Sequence, residues 1–316
     1  DGTEFTLSPS TTQQPLGYCI EQSNENGLQV STGLYTHHDS DSQPDISNDL
    51  HLSFPTSDVT GEYANMSSEL WPSAIASSIL LNSPEFRNFS NGKSLLELGS
   101  GVGLAGLVAA RDCSSCVLTD VDERAVQLLH QATHKNHLPE TVTCRQLDWR
   151  DNHDASNPVD IILGSDIAYY YHLLRPIMDT TRAFLKQDSV AQDSLLIIVG
   201  GASRESQWDL YHNIRDGCYN QITDVREPPW LGKTKMVLFH LKMSNWVEDN
   251  DETDVVEDDD EDSQMVPISV IIHQPPSRSG ISSNDPSLDT DTIMSLFKEF
   301  EYVATETDDR NMLKSF

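Results

Sequence analysis

Three carboxylates and a phenol stand at the ends of apolar runs in the middle of this chain. Glu97 lies in Ser94-Leu-Leu-Glu-Leu98 and precedes a turn holding three glycines, Gly99-Ser100-Gly101-Val-Gly103. Asp120 ends Leu118-Thr-Asp120, and Asp166 and Tyr169 end Ile161-Ile-Leu-Gly-Ser-Asp-Ile-Ala-Tyr169. A glycine turn after a strand lets backbone approach a ligand closely. An acid at the end of the next strand can accept both hydroxyls of a ribose. Together they describe a nucleotide-type cofactor pocket, with Asp166 and Tyr169 available to an acceptor.

The glycines alone do not choose the cofactor. Gly101-Val-Gly103-Leu-Ala-Gly106 fits the pattern Gly-x-Gly-x-x-Gly, which serves dinucleotides and S-adenosylmethionine alike. Glu97 separates the two. In a dinucleotide site a helix N-terminus faces a pyrophosphate, which an acid at the strand end would repel. The same acid suits a cofactor with a cationic amino group, met directly or through water. We therefore read S-adenosyl-L-methionine as the cofactor, with Glu97, Gly99, Ser100, Gly101 and Asp120 around it. Further on, Leu147-Asp148-Trp149 ends a third run. Asp148 could take an adenine amino group. Trp149 either covers an exposed face of the cofactor or is a core aromatic.

The elements that position these residues follow from the apolar pattern. Strands over 94–98, 115–120, 141–147, 159–165 and 194–200 alternate with helices over 103–111, 122–137, 171–186 and 205–217, with a loop after 141–147. A helix over 69–81 carries Pro72 in its first turn, where its missing N–H costs nothing. Two last runs, 219–226 and 235–242, are joined by a turn at Pro228-Pro229 and Gly232. The pattern predicts an α/β fold: a Rossmann-like, doubly wound, seven-stranded sheet with an antiparallel terminal hairpin.

Charge divides the chain. Of its 316 residues, none before Arg87 is Lys or Arg, while twelve are acidic. Residues 248–262 hold eleven acids and no base, whereas 87–247 carry sixteen bases against nineteen acids. The formal net charge of −30 therefore belongs mostly to the flanks. We read 1–60 as a polar N-terminal extension with short strands near Tyr18–Ile20, Leu28–Val30 and Leu50–Phe54. The domain spans 61–247, followed by an acidic linker at 248–264 and a C-terminal extension at 265–316. Within the extension, Val266–His273 reads as one more strand and Leu288–Ala304 as a weakly amphipathic helix. Without clustered Lys and Arg, nucleic acid is excluded as the main partner. No apolar run reaches the ~18 residues of a membrane span. Five cysteines without a framework fit a reducing compartment, and Cys113-Ser-Ser-Cys116, with no second ligand pair, reads as structural rather than metal-binding.

Five pieces in order resemble the seven-β-strand protein-lysine methyltransferases, which act on chaperones, elongation factors and similar proteins. They are Leu70-Trp71-Pro72, Leu96-Glu-Leu-Gly-Ser-Gly-Val-Gly-Leu104, Leu118-Thr-Asp120, Leu147-Asp-Trp149 and Leu163-Gly-Ser-Asp-Ile-Ala-Tyr169. The last contains the Asp-x-x-Tyr signature of that group, and the resemblance covers about residues 69–242. It implies that Trp71, Gly99, Gly101, Asp120, Trp149 and Ser165 line the cofactor site and that Asp166 and Tyr169 face a lysine. The long polar N-terminal region and the acidic C-terminal part depart from the shared core. The Asn-Pro-Pro-aromatic motif of glutamine and nucleobase-amine methyltransferases is missing, and Asn157-Pro158 reads as a turn.

The expected reaction is an in-line methyl transfer in which the protein mainly aligns two centres. Asp166 would hold and orient the incoming ammonium. Tyr169 would hydrogen-bond the amine, its ring walling the channel with Tyr170. No metal is required, and His172 reads as a helix-surface residue. Expected partners are a protein substrate, such as a chaperone, elongation factor or other basic-surfaced protein, with no nucleic acid and no membrane. The chain is read as a monomer of the cytoplasm, or of the nucleus as well. Two alternatives stay open: another acceptor, protein histidine or a small amine, and a non-catalytic module that kept the fold.

Overall fold

The computed structural model describes residues 5–7, 16–20, 23–25, 28–32, 34–36, 50–55, 66–67, 70–151, 157–186, 194–217, 229–243, 264–275 and 303–306. Its centre is one eight-stranded sheet. In chain order the sheet comprises β7 (Ser94–Leu98), β8 (Ser115–Asp120), β9 (Val142–Gln146), β10 (Ile161–Ser165), β11 (Leu195–Gly201), β12 (Lys233–Met243), β13 (Gln264–Gln274) and β14 (Val303–Glu306). Six strands precede them: β1 (Phe5–Leu7), β2 (Leu16–Ile20), β3 (Ser23–Glu25), β4 (Leu28–Thr32), β5 (Leu34–Thr36) and β6 (His51–Pro55). These form two small antiparallel sheets, β1-β2-β5 and β3-β4-β6. In the second of these β3 pairs β4 antiparallel, from Ser23 opposite Val30 to Glu25 opposite Leu28.

The helices are α1 (Pro72–Asn82), α2 (Pro84–Ser90), α3 (Leu104–Ala109), α4 (Glu123–Lys135), α5 (Tyr171–Phe184) and α6 (Glu205–Asp216). Each has a local cause. Pro72 and Pro84 open their helices at positions where the missing N–H has no helical partner anyway. Asp122 caps α4 by accepting the Arg124 amide at 2.9 Å, and His134 and Lys135 meet the negative end of its dipole. Gly217 ends α6 in the left-handed region, φ 66°. The short α2 was not foreseen, because its seven residues show no clear apolar period.

The large sheet runs β14-β12-β13-β11-β10-β7-β8-β9. Strands β9, β8, β7, β10 and β11 are parallel, and β13 lies antiparallel between β11 and β12. Interior parallel strands are covered on both faces and must be apolar throughout. Leu95, Leu98, Ile161, Ile162, Leu163, Leu196 and Ile198 accordingly lie at or below 1 % exposure. Strand order reverses at β7, which pairs β8 on one side and β10 on the other. A crevice forms outside the carboxyl ends at such a point. The turn after β7 and the segment after β10 both open into it.

The terminal hairpin corrects the sequence reading. We expected 219–226 to pair with 235–242. Instead β12 pairs with β13 along its whole length, from Lys233 opposite Gln274 to Met243 opposite Gln264. The run 219–226 lies outside the described residues. The acidic stretch 248–262 therefore sits inside a hairpin connection, not beyond the end of the domain. Val266–His273, assigned to an extension, lies within the sheet, with Ile268, Val270 and Ile271 fully buried. Two facts hid this pairing: the segments are far apart in sequence, and closure cost grows only slowly with loop length. The expected helix over 288–304 lies outside the described residues except at its end, where Val303 and Ala304 belong to β14.

Below the sheet's other edge, Asp160 works as a staple. Its carboxylate takes the Ser94 amide at 2.9 Å, the Ser94 hydroxyl at 2.8 Å and the Lys186 ammonium at 2.6 Å. Cys113, Cys116 and Cys144 are free thiols, with Cys116 and Cys144 buried and Cys113 half-buried.

Candidate active site

The turn after β7 is built by interlocking hydrogen bonds with the end of β8. The Ser100 amide donates to Thr119 O at 2.7 Å, and the Thr119 amide donates back to Ser100 Oγ at 3.1 Å. The Gly101 amide donates to Asp120 Oδ2 at 2.9 Å. Gly99 has φ 64°, and a Cβ on it would stand 3.0 Å from Ile167 and 3.1 Å from Trp149. Gly101, at φ 51°, faces the Ser67 backbone at 3.3 Å in the same sense. Both positions need the left-handed region and the missing side chain.

Glu97 lies beneath this turn at 2 % exposure. Its Oε1 accepts the Gly106 amide at 3.1 Å, whereas Oε2 has no hydrogen-bond partner. Burial pushes its carboxyl up to about 7, opposed by the Ser100 hydroxyl and Gly106 amide and reinforced by the charge of Asp120. Asp120 is 7 % exposed and takes one amide on each oxygen, Gly101 on Oδ2 and Asp122 on Oδ1 at 3.0 Å. Burial raises its carboxyl as well, against the amides of Asp122 and Gly101. A carboxylate oxygen has room for a further donor beside each amide.

The next wall comes from the segment after β9. Asp148 is gripped by Arg150, whose Nη2 stands 2.6 Å from Oδ2 and whose Nε reaches both oxygens. Trp149 packs against the hydrophobic core and over Gly99, and its buried Nε1 has no hydrogen-bond partner. From α1, Trp71 Nε1 donates to Met66 O at 2.8 Å, tying residues 66–67 to the helix start.

The last wall follows β10. Ser165 shares a 2.7 Å hydrogen bond with Ser77 of α1. Asp166 turns the chain with φ 60°, a conformation that Asp tolerates better than most residues. Its amide donates to Val199 O at 2.7 Å, and its Oδ2 lies 3.0 Å from Arg204 Nη2. Burial raises the Asp166 carboxyl, while the Arg204 charge and the Gly201 amide pull it back. Tyr169 meets Tyr170 edge to face at 4.8 Å, and Tyr170, 47 % exposed, stacks on His172 at 5.4 Å.

All eleven residues singled out from the sequence line one cavity of about 190 Å³: Trp71, Glu97, Gly99, Ser100, Gly101, Asp120, Asp148, Trp149, Ser165, Asp166 and Tyr169. Two refinements concern Asp148, whose oxygens are engaged by Arg150, and Glu97, which reaches the cavity from beneath the turn. The sequence reading missed Arg204, Arg150, Ser67 and Ile167 in the same lining. A signal for Arg204 existed, since it follows Gly200-Gly201 at the end of a strand adjacent to β10. Among the described residues no cluster of His, Cys, Asp and Glu could hold a metal ion. No described helix is long and apolar enough to cross a membrane.

Comparison with known proteins gives the site a context. Residues 56–214 match a family model described as lysine methyltransferase. The chain is similar to the protein N-lysine methyltransferase METTL21A of Xenopus tropicalis, 30% identical over 166 residues, 49% of this chain and 73% of that protein. It is also similar to the calmodulin-lysine N-methyltransferase of Arabidopsis thaliana, 30% identical over 108 residues, 32% of this chain and 36% of that protein. The protein-lysine N-methyltransferase rrg1 of Schizosaccharomyces pombe is 28% identical over 143 residues, 42% of this chain and 46% of that protein. The chain thus spans less than half the length of these last two relatives.

Proposed function

Because this chain belongs to the lysine methyltransferase family and is a protein-lysine N-methyltransferase, we propose that its cavity binds S-adenosylmethionine on the glycine turn and receives a substrate lysine between Asp166 and Tyr169. One observation carries this reading: the cofactor-type carboxylates Glu97 and Asp120 and the acceptor-type pair Asp166 and Tyr169 open into the same cavity.

The residues present fit the cofactor. Glu97 Oε2 is a buried oxygen without a partner, which a cationic amino group would satisfy directly or through a water. Asp120 retains acceptor capacity for ribose hydroxyls on both oxygens. The open face of Gly99, walled by Trp149 and Ile167, is a cradle that any side chain would fill. When bound, S-adenosylmethionine supplies a methyl group on a cationic sulfur.

The protein's own work is on the acceptor. A free lysine amine has a pKa of about 10.4, so it enters as an ammonium. Asp166 binds that ammonium and fixes its approach, and Tyr169 holds the nitrogen and excludes water on one side. The proton leaves to solvent at the cavity mouth, where Tyr170 is exposed. Alignment, more than acid–base chemistry, then sets the rate.

The substrate is a protein with a basic surface. Supporting this is the −30 formal charge, together with the origin of the acidic run 248–262. That run leaves Met243, at the carboxyl end of a strand running with β11, and so departs from the same sheet edge as the cavity. Such a field raises association rates with basic partners.

The test is incubation of purified protein with methyl-labelled S-adenosylmethionine and a cell extract. Label in a discrete protein band that hydrolyses to methyl-lysine supports the reading. Label recovered as methyl-histidine or in a small amine overturns the assignment of the acceptor.

A further inference from the structure

The acceptor end of the cavity carries a cation of its own. Arg204 Nη2 lies 3.0 Å from Asp166 Oδ2, with the arginine side chain 35% exposed and the aspartate side chain 9% exposed. The arginine begins a run in which three successive residues grip the segment after β10. Glu205 Oε2 accepts the Tyr171 hydroxyl at 2.8 Å, and the Ser206 hydroxyl donates to Ala168 O. The run is itself fixed: the Arg204 amide donates to Gly201 O at 3.1 Å, and Trp208 Nε1 donates to Ala202 O at 2.8 Å. The start of α6 thus clamps the whole stretch from Asp166 to Tyr171 against the end of β11.

We propose that Arg204 is a positioning residue for methyl transfer, which keeps the Asp166 carboxylate ionised and fixed at the cavity wall until a lysine ammonium shares it. The proposal rests on the reading of Asp166 as the group that meets the substrate. A carboxylate this buried favours its neutral form unless a cation or donors oppose burial. Arg204 and the Gly201 amide are the groups that oppose it here. The remaining charged or titratable groups of the cavity lining are Glu97, Asp120, Asp148 with its partner Arg150, and Tyr169 and Tyr170 of the same segment. Among them Arg150 is committed to Asp148, so Arg204 is the cation set against Asp166. Its charge also has a second effect. A lysine ammonium entering beside Asp166 meets a positive neighbour, which favours the neutral amine that attacks. Asp166 attracts the cation, and Arg204 offsets part of the rise in amine pKa that the carboxylate causes.

The test compares wild type, Arg204→Gln, Arg204→Lys and Asp166→Asn. Three readouts are made: initial rates of label transfer into protein lysine of one cell extract from about pH 6 to about pH 10, the Asp166 carboxyl titration followed by carbon NMR, and S-adenosylhomocysteine affinity by calorimetry. Expected for Arg204→Gln is an Asp166 titration and an acid limb of the rate both moved up by about one pH unit, a tenfold loss in the charged fraction on that limb. Rates recover as pH rises, cofactor affinity stays within about twofold, and Arg204→Lys restores most of the shift. A rate depressed equally at every pH, with Asp166 titrating as in wild type, overturns the proposal and leaves Arg204 a structural residue. Full activity in Arg204→Gln with an unmoved acid limb overturns it too. Full activity in Asp166→Asn would instead remove the reading of Asp166 on which the proposal stands.

Discussion

The ring of Trp149 stands where a side chain on Gly99 would have to go: a Cβ there would lie 3.1 Å from Trp149 Cζ2. Two strand ends separated by two helices in the chain thereby form one wall. Gly99→Ala places a methyl group in the cradle and forces a left-handed φ on a residue that resists it, at a cost of about 1–2 kcal/mol. The expected outcome is a loss of S-adenosylhomocysteine affinity of at least about tenfold in calorimetry, with a small fall in Tm. Unchanged affinity would place the cofactor elsewhere.

Asp166→Ala should abolish methyl transfer and leave cofactor binding within about twofold. The proposed function sets Asp166 against the acceptor, and its hydrogen bonds reach Val199 and Arg204, not the glycine turn. Transfer of label to extract protein and calorimetry with S-adenosylhomocysteine read the two effects separately.

Glu97 makes stability depend on pH in an unusual direction. Its folded carboxyl is raised from 4.5 to about 7, so between those values the folded state holds a proton that the unfolded chain has lost. The contribution is fully present below about 4.5 and fades as pH rises toward about 7, amounting to about 3 kcal/mol. Urea unfolding of Glu97→Gln should show a flatter dependence on pH than wild type across that window. A cationic amino group bound beside Glu97, as proposed, would reverse the shift. Near pH 7 the wild type should release a fraction of a proton on binding S-adenosylhomocysteine, visible as a buffer-dependent heat, and Glu97→Gln should not.

The pairing of Met243 with Gln264 predicts how the chain tolerates cutting. Replacing 244–263 with a two-residue Asn-Gly turn should keep the fold, with Tm equal or higher, because the loop is shorter and the turn suits a hairpin. Truncation after residue 247 removes β13 from between β11 and β12 and should leave the protein aggregated. Were the truncated chain to melt like the intact one, β13 would not belong to the core.

At the sheet's opposite edge, Asp160→Ala removes an acceptor of three hydrogen bonds and strands Lys186. A loss of about 1–3 kcal/mol in urea unfolding is expected, with methyl-transfer rate and cofactor affinity unchanged well below Tm. A specific loss of activity in the folded variant would tie the two edges together.

Much of this was already legible in the residues themselves. Glycines that need φ above zero, an acid beside them and apolar runs ending in Asp or Tyr are local signals, because strand, turn and carboxyl edge follow from short-range sterics and burial. These signals located the strands β7, β8, β9, β10 and β11 and nine of the cavity's lining residues, while Trp71 and Ser165 came from the family resemblance. Pairing across long separations is not local. Only packing decided that Gln264–Gln274 inserts between β11 and β12 across an acidic run, since its buried apolar residues Ile268, Val270, Ile271 and Ile272 require cover on both faces and name no neighbour. Tertiary structure likewise decided the state of the carboxylates. Sequence placed Glu97, Asp148 and Asp166 at the site. Burial under the turn, the grip of Arg150 and the facing Arg204 determined which oxygen has no partner, which is engaged and which faces a cation. Ionisation in a cavity depends on what lies a few ångströms away in space, and no spacing along the chain fixes that distance.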